Sequence, residues 1–196
     1  MINLLDFFNN NKDIESGGAN VKKYDINVYR KTYNKFSKNE YDDVNPFNVD
    51  NIIHYTNECK YLKLLIEYDI TPTILECDIN SFVITDCGER LTLENCPSNW
   101  KEQIINIYNI LKKENIYHND IKIDNFTVLN NKIYLIDFGW SSQNIPSYPY
   151  FNLNLDIIEK SNKLNELFHN LFNKSSVLVT EMSNNLNDYI NSLKNK

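Results

Sequence analysis

The stretch that most constrains this chain is "HNDIKIDNFTVLNNKIYLIDFG", residues 118–139. Its second half is strand-like on both sides of Asn130-Asn131, a pair that tolerates the left-handed backbone of a tight turn. That pattern predicts a β-hairpin. A hairpin sets its two ends side by side. It therefore brings the polar run ending at Asn125 close to Asp137, twelve positions later. A His, three Asp and the amide of Asn125 are gathered at one end of a short sheet, and the rest of the fold has to accommodate them.

Composition narrows the setting. At 196 residues the chain is long enough to bury a real core, and 42% apolar residues argues for a folded protein. The formal charge of −6 argues against a general nucleic-acid binder, which needs a basic face. Cys59, Cys77, Cys87 and Cys96 follow no metal-ligand spacing and read as free thiols in a reducing compartment. No apolar run approaches the ~18 residues that a membrane span needs, and "MINLLDFFNNNK" is too short in apolar residues for a signal peptide. These features predict a soluble, cytoplasmic protein. About one residue in six is Asn. We read this as coding bias of an AT-rich genome, from a microbe, protist or large virus (in which case the cytoplasm is the host's).

Gly and Pro are scarce, so "ESGGAN" is the strongest turn signal of the first half. Residues 12–36 read as two or three antiparallel strands with Gly17-Gly18 at their tip, with Val21, Tyr24, Ile26 and Val28 as the apolar side. Residues 37–48 read as a polar loop. Val49, Ile52, Ile53, Tyr55, Cys59, Leu62, Leu65 and Ile66 recur at helical spacing. "TPTILECD" and "NSFVITDCG" read as a strand pair. "CPSNWKEQIINIYNILKKENI" is an amphipathic helix with Ser98 as its expected N-cap. Two closing helices are expected over 152–173 and 181–194.

His118 to Asn125 has the form H-x-D-x-K-x-x-N, and Asp137-Phe138-Gly139 follows it across the hairpin. The two motifs, in this order and at this separation, resemble the catalytic loop and metal-binding D-F-G of the protein-kinase-like superfamily. The resemblance implies an α+β, bilobal fold: a small β-rich N-lobe over about 1–85, a hinge near 85–90, and a truncated helical C-lobe over about 91–196. It implies ATP and Mg²⁺ (or Mn²⁺) as cofactors and a hydroxyl acceptor, expected on a protein Ser or Thr. Asp120 would orient the attacking hydroxyl, Lys122 would reach the γ-phosphate, and Asn125 and Asp137 would hold the metal. His118 is expected to pack near Phe138, and Asp124 to be solvated or to cap the loop.

The same resemblance assigns residues in the first half. Lys31 in "VYRK" would meet the α- and β-phosphates, against the alternative of an exposed strand lysine. Glu58 would pair with Lys31, against a plain surface role. Gly17 and Gly18 would cover the phosphates, and Val21 would pack on the adenine. Backbone groups of Thr85, Asp86 and Cys87 would bond the adenine, with Ile84 at the back of the pocket. Three departures stand out. Ile14, Ser16 and Ala19 occupy the three glycine positions of the family's phosphate loop. Asn119 stands where the family carries an Arg that pairs with a phosphorylated segment, which predicts no such switch. Only 57 residues follow Gly139, so a shortened segment is expected to lead into the last helices, with Asp156 as a candidate to bond the catalytic-loop backbone. These features look like the Bud32/RIO-type and lipopolysaccharide-kinase-like branches, with an ATPase or kinase subunit of a complex and a nucleotide-binding pseudokinase as the alternatives.

Overall fold

In a computed structural model of the protein, residues 14–16, 19–33, 51–147 and 150–177 are described. Residues 12–36 contain three antiparallel strands, β1 (Ile14–Ser16), β2 (Ala19–Asp25) and β3 (Val28–Tyr33). Ile26 is not a strand residue: it sits in the β2–β3 turn, 80% exposed, beside Asn27 at φ 59°. Gly17 and Gly18, and the loop expected over 37–48, lie outside the described residues.

Helix α1 (Asn51–Leu64) follows, then strands β4 (Ile74–Cys77) and β5 (Ser81–Thr85). They complete a five-stranded sheet in the order β1-β2-β3-β5-β4. Register decides which side chains can meet. Lys31 lies opposite Val21 on one side and Phe82 on the other, and Tyr29 lies opposite Ile84. Directly paired residues of an antiparallel sheet share a face, so Val21, Lys31, Phe82, Tyr29 and Ile84 line one surface.

Strand β6 (Glu89–Arg90) belongs to a second sheet. It pairs with β8 (Phe126–Leu129), which pairs with β9 (Lys132–Leu135). The β8–β9 hairpin turns at Asn130-Asn131, both at positive φ, as the sequence predicts. Between β6 and β8 run helix α2 (Trp100–Lys113) and strand β7 (Ile116–Tyr117), and β7 pairs with β10 (Ser142–Gln143). Helix α2 buries Ile104, Ile107 and Leu111, the i, i+3, i+7 stripe of an amphipathic helix. Its cap position is Asn99, not Ser98, and Asn99 makes no side-chain cap bond; its Oδ1 accepts from Gln103 Nε2 at 2.8 Å instead.

The helix expected over 152–173 is two helices. Helix α3 (Leu155–Lys160) starts at Asn154, whose side chain accepts from the Ile157 N–H. The chain then extends at Ser161 (φ −76°, ψ 128°), and a second helix, α4, occupies 164–177. The helix expected over 181–194 lies outside the described residues. The chain is thus α+β, with a β-sheet first half and a mainly helical second half. Leu91, Ile104, Phe126, Leu135, Phe138, Ile158 and Leu167 are fully buried in the core, each full burial contributing about 1.5–3 kcal/mol.

Asn has a structural use that composition alone did not suggest. Among the described residues, nine non-glycine positions have positive φ, and six are Asn: Asn27, Asn115, Asn119, Asn130, Asn131 and Asn144. Asn tolerates the left-handed region through its short polar side chain. In a chain with four glycines it takes on turns that glycine usually makes.

Among the described residues, Gly88 cannot be replaced so. It sits between the two sheets at φ 85°, and a Cβ there would lie 1.9 Å from the Val128 carbonyl oxygen. Both the backbone conformation and the space exclude a side chain. Gly88→Ala is expected to destabilise the protein by about 2 kcal/mol or more, read from urea unfolding. A loss within about 0.5 kcal/mol, the usual range for a surface change, would show that the crossing relaxes freely.

Candidate active site

Three elements converge on one largely buried ammonium. Strand β3 carries Lys31, helix α1 carries Glu58, and the chain leaving β9 carries Asp137. Lys31 Nζ lies 2.7 Å from Glu58 Oε2 and 3.1 Å from Asp137 Oδ1. The Lys31 side chain is 15% exposed and that of Glu58 4%, so the expected pairing holds and neither is a surface charge. The Tyr33 hydroxyl donates to the same Glu58 oxygen, a partner that sequence reasoning missed. It lies two positions after Lys31, on the same strand face.

Burial works against each of these charges, and their contacts decide the outcome. Burial disfavours the Lys31 ammonium, yet the carboxylates of Asp137 and Glu58 hold its pKa well above the usual lysine range. The Lys31 charge holds the Asp137 carboxyl down at about 2, despite the opposing cost of burial. Glu58 is the reluctant member: burial raises its pKa, and Lys31 only partly offsets this. Asp137 differs from Glu58 in facing the open side, with its side chain 42% exposed.

The second cluster lies on the loop before β8. Asp120 Oδ2 takes a bond from Lys122 Nζ at 2.7 Å and one from Asn125 Nδ2 at 3.0 Å. Asn125 Nδ2 also donates to the Asp120 backbone oxygen at 2.8 Å. Both bonds use the amide nitrogen and direct the amide oxygen elsewhere. The 3₁₀ turn Ile123–Asn125 makes this reach possible, with Asn125 N–H bonded to the Lys122 carbonyl. The hairpin closes the arrangement: Ile136 N–H donates to the Asn125 carbonyl at 2.9 Å, setting Asp137 beside the loop. His118 is fully buried, donates from Nε2 to the Ile136 carbonyl at 3.0 Å, and meets the Phe138 ring edge-on at 4.8 Å. Burial lowers its pKa, which suits a neutral packing group. Asp124 is not simply solvated: it ion-pairs with Arg90 of β6.

Asn119 is the largest surprise of the loop. It is fully buried at φ 65°. Its Nδ2 is within bonding distance of the Trp140 carbonyl (2.9 Å), Ser142 Oγ (2.8 Å) and Ser147 Oγ (2.9 Å). Its Oδ1 accepts from Ser147 N–H at 3.1 Å and Asn152 Nδ2 at 2.9 Å. The backbone joins in: Phe151 N–H donates to the Asn119 carbonyl and Ile121 N–H to the Phe151 carbonyl, a parallel bridge of Asp120 with Phe151. One neutral amide therefore holds the segment after Gly139 against the loop that bears Asp120. Asp156 does not bond the loop backbone. It is 68% exposed and pairs with Lys160 one turn on; Asn152 Oδ1 takes the Asn119 N–H instead, at 2.8 Å.

Helix α1 reaches the same segment. The His54 ring packs on Trp140 at 4.6 Å, and Asn57 Nδ2 donates to the Gly139 carbonyl at 3.1 Å. A Cβ on Gly139 would meet His54 Cβ at 3.4 Å, so glycine allows the helix to come this near. His54 lies one turn before Glu58 and has the same helical phase, a signal that spacing could have supplied.

The face above this site is the row of Val21, Lys31 and Phe82, flanked by Tyr29 and Ile84. At the crossing between sheets, Thr85 N–H is bonded to the Thr73 carbonyl and Asp86 N–H to the Asn27 carbonyl, at 2.9 and 2.8 Å. Those two donors are therefore spent within the fold, which removes the Thr85 and Asp86 N–H from the backbone groups expected to bond the adenine. Among the described residues no three His, Cys, Asp or Glu are placed to hold a metal ion. Asp137 and Asn125 offer one carboxylate and one amide oxygen. That donor set fits Mg²⁺, which is commonly held by one or two carboxylates with the rest of its shell from phosphates and water.

No protein-family model and no curated protein matches the sequence. The structure is similar to solved ones, among them the Rio2 kinase–ADP/Mg²⁺–phosphoaspartate complex from Chaetomium thermophilum, at 12% identity and a TM-score of 0.49. The overlap covers 68% of this chain and 48% of that one, so the chain spans about half the length of that kinase. Identity and TM-score this low leave the functional reading to the side chains.

Removing Lys31 tests the charge balance. A carboxyl whose folded pKa lies above its unfolded value holds more protons when folded, so its contribution improves as the pH falls. In Lys31→Met, Glu58 loses its cation and moves further in that direction. The variant is expected to lose about 3–5 kcal/mol at neutral pH, and the gap to wild type is expected to narrow from pH 7.5 to 5, as the buried Glu58 carboxyl left without its cation takes up a proton. Thermal melts across that range check it, and a pH-independent gap would contradict the assignment.

Proposed function

We propose that this protein is an ATP- and Mg²⁺-dependent phosphotransferase. The single observation that carries the reading is the bridging of Lys31 to both Glu58 and Asp137, with Asp120 and Asn125 joined to Asp137 through the hairpin. Phosphoryl transfer asks the protein for positioning and charge neutralisation rather than covalent chemistry. When bound, Mg²⁺ would neutralise phosphate charge beside Asp137 and Asn125. Lys31, on the central strand of the sheet, is held charged and supplies a fixed cation for phosphate oxygens. Val21, Tyr29 and Ile84 offer an apolar wall for a base. Gly17 and Gly18 are assigned to the phosphate cover on sequence grounds alone.

Asp120 is the group that receives or orients the acceptor hydroxyl proton, and Lys122 screens its charge and reaches the transferred phosphate. We assign the acceptor to the hydroxyl class, a Ser or Thr of a protein, on the strength of Lys122 at the second position after Asp120. We read the whole as one kinase-like domain of the small atypical Bud32/RIO-like kind. Four free thiols support a reducing compartment such as the cytoplasm. The intact Lys31–Glu58 pair speaks against the pseudokinase alternative.

Turnover of ATP with Mg²⁺, read as phosphate transfer to protein acceptors, to the protein itself or to water, tests this. Asp120→Asn is expected to lose about 10²–10⁴-fold in rate while still binding nucleotide, and Asp137→Ala to lose metal-dependent binding as well. Turnover equal to wild type in both variants would sink the assignment.

The Asn119 anchor carries a further expectation. A neutral amide holds the segment 140–152 without any phosphate, so exhaustive phosphatase treatment is expected to leave the turnover unchanged. A large loss after that treatment would show that the anchor is insufficient by itself.

A further inference from the structure

Cys59 and Cys77 lie eighteen positions apart with nothing in the sequence to pair them. The fold brings them together. The Cys77 thiol, on β4, contacts Cys59 Sγ, on α1, at 3.8 Å. Their surroundings are unequal: Cys59 is buried and Cys77 exposed. The same junction holds a second tie, since the Tyr55 hydroxyl donates to the Asp78 carbonyl just past β4. Cys59 directly follows Glu58, the residue that pairs with Lys31.

We propose that Cys59 and Cys77 form a redox-modification site, in which a peroxide converts the thiol pair into a disulfide that fastens α1 to β4. Exposed Cys77 reacts first. Its thiolate sulfur attacks a peroxide oxygen, the O–O bond breaks, and the leaving hydroxide takes a proton to become water. Cys77 is then a sulfenic acid. The Cys59 sulfur attacks the Cys77 sulfur, an S–S bond forms as the S–O bond breaks, and the Cys59 proton leaves in a second water. The two thiols give two electrons and the peroxide takes them. Rotation about the side chains must bring the sulfurs from 3.8 Å to bonding distance, about 2.05 Å, which asks for no large movement of the helix.

Two magnitudes oppose each other in the second step. Burial pushes the Cys59 thiol up to about 12, leaving about one thiolate in 10⁵ at pH 7. A neighbour already in contact has an effective concentration of about 10⁵–10⁸ M, which offsets that shortage. Closure is therefore expected, but slowly. Cys59 lies one residue beyond Glu58, so the disulfide holds the helix in the register that keeps Glu58 on Lys31. This holds whether or not the protein transfers phosphate.

Treating the purified protein with hydrogen peroxide and mapping its peptides by mass spectrometry tests the site. Expected is a Cys59–Cys77 link, reversed by dithiothreitol, absent in Cys77→Ser, with Cys87 and Cys96 unlinked. In Cys59→Ala, Cys77 sulfenic acid is expected to persist and to be trapped by dimedone. The linked form is expected to melt higher by on the order of 5 °C, since the bond closes a short loop. Dimedone labelling of wild-type Cys77 without any link would overturn the proposal, as would a link only between two molecules. A lower melting temperature in the linked form would overturn the fastening of α1.

Discussion

The strand, helix and hairpin exit of the site are arranged around one ammonium that has little water to turn to. Lys31 is largely buried, and removing one partner of a buried pair costs about 3–5 kcal/mol. It therefore requires the helix bearing Glu58 and the hairpin exit bearing Asp137 to be where they are. Three elements from distant parts of the sequence share this charge. The Tyr33 hydroxyl donates to the same Glu58 oxygen as Lys31, so that oxygen of the reluctant carboxylate takes two donors. Net stability gained from such a cluster is small, because desolvation consumes most of the attraction. What it provides is a definite relative placement of strand, helix and hairpin.

The second half is held by a different kind of contact. Asn119 is uncharged, so its burial costs less than a charge would, provided its amide is satisfied. It is: the segment 140–152 answers it with a carbonyl, hydroxyls, an N–H and the side chain of Asn152. Phe138 joins the two halves, with Tyr61 of α1 on one side at 6.4 Å and His118 on the other at 4.8 Å. The site thus combines a charged clasp with a neutral one.

Much of this was legible in the sequence, for identifiable reasons. Hairpin chemistry at Asn130-Asn131 is local, and local rules placed Asp137 beside Asn125. The α2 stripe is equally local. Lys31 and Glu58 were legible only through family resemblance, since 27 positions separate them and periodicity says nothing of which strand meets which helix. Asp156 was misjudged because its position suited the role, whereas Asn152, four residues earlier, is held in reach by the Phe151 bridge. The break at Ser161 was missed because apolar spacing continues through it. Asn abundance was read as genome bias because left-handed backbone leaves no mark on hydropathy.

The bridge between Asp120 and Phe151 has a consequence for whatever approaches this loop. Phe151 N–H and carbonyl take up the Asn119 carbonyl and the Ile121 N–H, so the protein has laid its own strand along that edge. An incoming polypeptide cannot dock there by adding a strand, because the backbone groups that would receive it are already spent. Whatever approaches this loop meets side chains there, the half-exposed Lys122 among them, rather than open backbone.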